Sequence, residues 1–115
     1  MPKICMLGSL NIDMTIFVPH FNQPGESLTG TDLKIFTGGK GGNQSIACAR
    51  LGADVRMIGC LGSDAGGGMY RGVLEKEGID TKFVATAENV ASGTAFIEVV
   101  PSGENRIAVA QGAND

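Results

Sequence analysis

Residues 37–44 read Thr-Gly-Gly-Lys-Gly-Gly-Asn-Gln, with four glycines and one lysine in the five positions from Gly38 to Gly42. An apolar, strand-like run at residues 33–36 precedes them, and a helix-like run at residues 43–51 follows. In a strand, glycine turn and helix, backbone N–H groups can point at a polar ligand, and glycine lets that ligand approach with no Cβ in the way. Lys40 adds a cation with three donors. The stretch is not a Walker A loop, because Gly41 rather than Ser or Thr follows Lys40. Nor is it a dinucleotide fingerprint, because Gln44 stands where the third glycine belongs. Glycine content alone fits a flexible strand-to-helix turn equally well.

Asn11 and Asp13 form a second constellation. One residue separates them, so on an extended chain they project to the same side. A carboxylate accepts from two hydroxyls, and a carboxamide both donates and accepts, which is the set of groups that binds a polyol. Asx residues also close strand ends, so the pair by itself leaves a turn reading open.

The chain has 115 residues, enough for one small domain, and 43% hydrophobic residues, ordinary for a globular protein. Eighteen glycines are about twice the usual share of roughly 7%, but they fall at turns rather than in a repeat. There is no Trp and one Tyr, which leaves little surface for stacking bases. The net charge of −3, with no basic cluster, argues against a nucleic-acid partner. Cys5, Cys48 and Cys60 lie far apart in apolar runs, and with His20 the only histidine they offer no metal-ligand spacing. They are expected to be buried free thiols, in a reducing, cytoplasmic setting. No apolar run approaches a membrane span, and the opening residues lack a signal-peptide core.

The elements that must position these residues follow from periodicity. Residues 4–7 read as a strand buried on both faces of a parallel sheet. Residues 14–18 and 27–36 are apolar and separated by a Pro/Gly-rich turn, an antiparallel excursion of two or three short strands. A helix over residues 43–51 presents Ala47 and Leu51 with Ile46 and Ala49, and Gly52 stops it. A core strand at residues 55–61 leads to a helix at residues 67–77. That helix is capped by Ser63 or Asp64, carries Met69, Val73 and Leu74 on one face, and has its first turn weakened by Gly66 to Gly68. Residues 79–84 begin a third core strand. Residues 93–110 form a hairpin with Thr94, Phe96 and Glu98 alternating against Ala95, Ile97 and Val99. The order is that of an α/β protein with extra strands outside the main sheet. His20 is expected to be exposed and unpaired.

Read in order, Gly8-Ser-Leu-Asn-Ile-Asp13, Pro24-Gly-Glu26, Gly38-Gly-Lys-Gly-Gly-Asn43, Gly62-Ser-Asp64 with Gly67, and Gly112-Ala-Asn114 resemble the PfkB family of carbohydrate kinases. The resemblance is to the amino-terminal part of its ribokinase-like members and covers essentially the whole chain. The lysine of the glycine run favours ribokinase-like and phosphofructokinase-like members over fructokinases, and Asn-x-Asp favours the former. The resemblance implies an α/β fold: the amino-terminal portion of a ribokinase-like three-layer sandwich, with a small antiparallel β lid. It implies one partial domain over residues 1–115, with lid segments at about 14–36 and 93–110. The implied reaction is phosphoryl transfer from ATP to the 5-hydroxyl of D-ribose, with Mg2+ and a monovalent cation such as K+. The sugar would meet Asn11, Asp13, Gly38, Gly39, Lys40, Asn43, Ala95 and Ile97, with Ile107 and Val109 beside the last two. A homodimer through the lid is implied as well.

Two departures stand out. The family's Gly-Ala-Gly-Asp motif, which gives the general base and an anion hole, occurs nowhere in these residues. The chain therefore reads as a fragment with no catalytic, cofactor-binding or metal-binding residue of its own, inactive alone. That leaves open a second reading, a non-catalytic sugar-binding or lid-mediated assembly module. Gly66 also departs, since the family carries a larger residue there, which puts the packing of that helix start in question.

Overall fold

The computed structural model describes residues 2–115. Three strands, β1 (Lys3–Leu7), β4 (Asp54–Gly62) and β5 (Asp80–Ala87), pair in parallel in the order β1-β4-β5. The connections between them are α1 (Lys40–Arg50) and α2 (Ala65–Lys76). The other four strands, β2 (Asn11–Phe17), β3 (Asp32–Gly38), β6 (Gly93–Val99) and β7 (Asn105–Ala110), form a second sheet in the order β3-β2-β6-β7. Its two outer pairings are antiparallel, while β2 and β6 run parallel. A 3-10 turn at Gly112–Asn114 follows β7.

Alternation decides where the core sits. Val55, Met57 and Leu61 of β4 are buried with Val84 of β5, Tyr70 and Leu74 of α2, and Leu10 and Ile12 from the start of the second sheet. Ile4 and Met6 of β1 and Ile46, Cys48 and Ala49 of α1 pack against this cluster. A fully buried side chain such as Leu74 contributes roughly 1.5–3 kcal/mol. The intervening residues face the other way. Lys3, Cys5 and Leu7 are exposed, Leu7 at 77%, and Phe83 is half-exposed beneath the Arg56 guanidinium, 5.3 Å from the ring centroid.

Strand β1 is thus buried on one face, not on both, because none of the described residues covers its second face. The same geometry corrects the expectation for the thiols. All three are free, but Cys5 is exposed and Cys48 and Cys60 are only partly buried. His20, exposed as expected, does have a partner: its Nε2 lies 3.0 Å from Glu26 Oε2.

Both helices begin earlier than their apolar periodicity suggests. Helix α1 starts inside the glycine run, and it buries Gly41, Gly42 and Ser45 rather than Ala47 and Leu51, which is 88% exposed. The reason is close approach. A Cβ on Gly41 would sit 2.7 Å from Gly8 Cα, so the helix lies directly against the backbone that follows β1. In α2 the buried face is Gly67, Tyr70 and Leu74, with Met69 turned outward. Its glycines cost about 1 kcal/mol each where helical. Gly66 has a packing role, since a Cβ there would sit 2.9 Å from Ile12 Cγ1. The space a larger residue would take is filled by Ile12.

Asp64 caps α2 and ties it to the second sheet. Its Oδ1 accepts from Gly67 N–H at 2.9 Å and from Ser92 Oγ at 2.7 Å, and its Oδ2 accepts from Ser92 N–H at 3.0 Å. Ser92 Oγ in turn accepts from Gly62 N–H at the end of β4. The Ser92 side-chain and backbone hydrogen bonds hold the Asp64 carboxyl below its ordinary value of 3.8. A lowered carboxylate pKa adds stability above the unfolded value, and that increment is lost as pH falls through the folded pKa. Asp64→Ala is expected to cost about 1–2 kcal/mol in urea denaturation at pH 7. The difference from the unsubstituted protein should shrink once the pH drops below 3.8.

Candidate functional site

The site is built on the first three residues of β2. In the sheet register Asn11 lies between Gly38 of β3 and Gly93 of β6, and Asp13 lies between Phe36 and Ala95. Asn11 and Asp13 share one face, as their spacing predicts. A Cβ on Gly38 would collide with the Asp13 carboxylate, and one on Gly93 would come within 2.7 Å of Asn11 Oδ1. The glycines on either side of Asn11 therefore make room for the two polar side chains.

Apolar residues complete this face. Ala95 is 4% exposed, and Ile97 comes next along the same side of β6. Val109 and Ile107 pair with them across β7, each about half-exposed. With Phe36 on its other side, Asp13 is partly desolvated, and its carboxyl is raised above the ordinary 3.8.

The turn into α1 brings up the remaining predicted residues. Gly39 has φ +87°, and a Cβ there would meet Ser9 O and, at 3.0 Å, Asn11 N. The run is thus the expected strand-to-helix turn, with its glycines required by close contacts. Gly42 N–H donates to Ser9 O at 3.1 Å. Lys40 is the exposed first residue of the helix and makes no ion pair with Asp13. Asn43 is exposed one turn into the helix, and its backbone N–H donates to Gly39 O at 2.9 Å. All eight predicted residues are thus carried by β2, the end of β3, the start of α1 and β6.

Sequence reasoning missed two residues that hold this arrangement. Tyr70 is fully buried, and its hydroxyl donates to Gly38 O at 2.5 Å. Burial, with the Asp13 charge nearby, pushes the phenol up to about 12, so it stays a donor. Asn114 accepts from Leu10 N–H at 2.9 Å, donates to Leu10 O at 3.0 Å, and donates to Asn11 Oδ1 at 2.8 Å. Tyr70 is the only tyrosine, and Asn114 closes the last of the ordered motifs, but nothing local showed what either touches.

The profile of the pfkB family of carbohydrate kinases matches residues 1–115. The chain belongs to this family. It is 49% identical over 111 residues to a ribokinase of Haemophilus influenzae, covering 96% of this chain and 36% of that protein. The structure of an Arabidopsis thaliana ribokinase complexed with ribose and ATP superimposes with a TM-score of 0.89 at 29% identity, over 98% of this chain and 36% of that one. A Cryptococcus neoformans ribokinase in complex with ADP gives 0.87 at 35% identity, over 98% and 35%. The pfkB chain described here thus spans little more than a third of these relatives, and its mixed α/β architecture with parallel and antiparallel sheets is theirs.

Gly42 and Tyr70 are sterically coupled, because a Cβ on Gly42 would overlap the Tyr70 hydroxyl. Gly42→Ala is expected to cost about 1–3 kcal/mol by overpacking. Tyr70→Phe, which strands Gly38 O, is expected to cost about 1–2 kcal/mol. The double variant should be more stable than the sum of the two losses allows, since removing the hydroxyl opens space for the methyl group. A denaturation cycle that came out additive would contradict this packing.

Proposed function

We propose that this chain is the sugar-binding and lid part of a kinase that transfers a phosphoryl group from ATP to the 5-hydroxyl of D-ribose. The observation that carries the reading is the Asn11 and Asp13 pair, set side by side on one strand face and given room by Gly38 and Gly93. A carboxylate in a partly desolvated position makes strong hydrogen bonds to sugar hydroxyls. Ile97, Ile107 and Val109, with Ala95 buried beside them, would offer the apolar surface that a sugar ring's C–H face needs. Lys40 and Asn43, exposed on the adjoining helix start, would close over the other side. The four-stranded sheet, with segments at about 14–36 and 93–110, would act as a lid that shuts water out of the transfer.

ATP, Mg2+ and a monovalent cation belong to this proposal only through the family. The described residues include no group of three His, Cys, Asp or Glu side chains that could hold a metal ion. The sequence also has no Gly-x-Gly-Asp. Residues 1–115 do not fit that role, and general base and nucleotide site would come from elsewhere in the protein.

The reverse face of the lid favours a dimer. Met14, Ile16, Leu33 and Phe96 line an apolar groove there, with Leu33 61% and Phe96 54% exposed. A second copy of the sheet would cover it. A cytoplasmic location agrees with three free thiols. No helix among the described residues is long and apolar enough to cross a membrane. The exposed lid face also suits the second reading, a sugar-binding or assembly module without turnover. Ribose phosphorylation by the full-length protein separates the two.

In calorimetry on the full-length protein, Asp13→Asn is expected to weaken D-ribose binding by about 10- to 100-fold, the value of hydrogen bonds to a charged acceptor. Affinity should fall as pH drops through the raised Asp13 pKa, because the protonated acid loses acceptor capacity, and the substitution should flatten that profile. Unchanged affinity in both Asp13→Asn and Lys40→Ala would rule out the sugar site.

A further inference from the structure

We propose that Asn114 is a positioning residue that fixes which end of the Asn11 carboxamide faces the sugar. The inference rests on the sugar-site reading above and adds a polarity to it: Asn11 presents a donor, and Asp13 beside it presents an acceptor.

The argument starts from the orientation of Asn114. Its Oδ1 faces Leu10 N–H at 2.9 Å and its Nδ2 faces Leu10 C=O at 3.0 Å. Turning the amide over would set an N–H against an N–H and an oxygen against an oxygen, so the backbone of Leu10 allows one orientation only. Leu10 has a fully buried side chain, in a place where unpaired backbone groups are costly. The second Nδ2 hydrogen of Asn114 then points at the Asn11 side chain, 2.8 Å away. Only an oxygen can accept it. Asn11 Oδ1 is committed to Asn114, and Asn11 Nδ2, which makes no hydrogen bond among the described residues, remains free.

The surroundings are shaped for this bridge. Gly93 N lies against the Gly112 turn, and Ala113 N–H donates to Ala91 O at 2.9 Å, docking the 3-10 turn on the entry to β6. A Cβ on Gly93 would strike Asn114 Nδ2 and crowd Asn11 Oδ1. Asn114 is thus held from both sides.

A donor next to an acceptor suits two neighbouring hydroxyls of one ring. One hydroxyl donates to the Asp13 carboxylate, and its neighbour accepts from Asn11 Nδ2. Such a pair fits a vicinal diol. With the Asn11 amide reversed, two acceptors would sit side by side, so both hydroxyls would have to donate there, and the second would have no proton left for another acceptor.

The test uses the full-length protein with isotope-labelled Asn side chains. In the unsubstituted protein, the Asn114 amide protons should be protected from solvent exchange and those of Asn11 should exchange fast. Asn114→Asp replaces the donor by an acceptor, so Asn11 should turn its Nδ2 inward and become protected. D-ribose affinity should then drop ~tenfold, the loss of one hydrogen bond. Asn11→Asp keeps the bridge from Asn114 but also presents an acceptor to the sugar, and should lower affinity at least as much while Asn114 stays protected. A residue acting only on stability would not produce the exchange reversal. Should Asn114→Asp fail to fold, the exchange rates of the unsubstituted protein and of Asn11→Asp decide. Protected Asn11 protons in the former, or unprotected Asn114 protons in the latter, overturn the inference. Equal ribose affinity in folded Asn114→Asp and the unsubstituted protein, with Asp13→Asn still weakened, overturns it and leaves the sugar site standing. Absence of ribose binding in the unsubstituted protein overturns the sugar site instead, and the exchange reversal still judges the amide orientation.

Discussion

One hydroxyl joins the two sheets. Tyr70 stands in the core of the parallel layer, and its phenol reaches across to the last residue of β3. An oxygen delivered that deep needs room, and Gly42 supplies it by having no side chain. Because Gly42 is in the first turn of α1, the helix start, the strand end and the core are placed by one contact. Asp13 lies against the same Gly38, so the acidic group on β2 is positioned by what holds the core together. The glycine run looks permissive in sequence. In the fold it is crowded, each residue stripped of its side chain because a neighbour already occupies the volume.

The second tie is Asp64 with Ser92. It joins the end of β4, the start of α2 and the entry to β6 through a few short hydrogen bonds. Together with Asn114, it makes the segment from Ala91 to Gly93 a second place where the two sheets are fastened. The four-stranded sheet is therefore clamped at its base, while its far strands carry exposed apolar side chains.

Much of this could be read from the residues. The apolar runs and glycine stops place the parallel strands and both helices, and a spacing of two puts Asn11 and Asp13 on one face. The alternation in residues 93–99 groups Ala95 with Ile97, and the pairing of β6 with β2, which no local pattern announces, sets them on that face. The misses have a common cause. Tyr70 and Asn114 act over 32 and 103 residues of chain, and no local pattern encodes a partner so far away. The burial stripe of α1 escapes hydrophobic periodicity because glycine and serine face inward where the helix meets backbone closely, whereas in α2 Leu74 is buried as expected and Tyr70 takes the place expected of Met69. The bare face of β1 was misread because an apolar run says that a strand can be covered, not that these residues cover it.

The two faces of β2 have different tasks, and adjacent residues alternate between them: Asn11 and Asp13 inward, Met14 and Ile16 toward the apolar groove. A shift of register by one residue exchanges those roles along the whole strand. Loss of the single residue between Asn11 and Asp13 would turn the carboxylate to the opposite face and bring Met14 onto the face that Asn11 occupies. The Pro- and Gly-containing stretch between β2 and β3, residues 18–31, belongs to no strand. A change of length in that stretch would leave the facing of β2 itself unaltered.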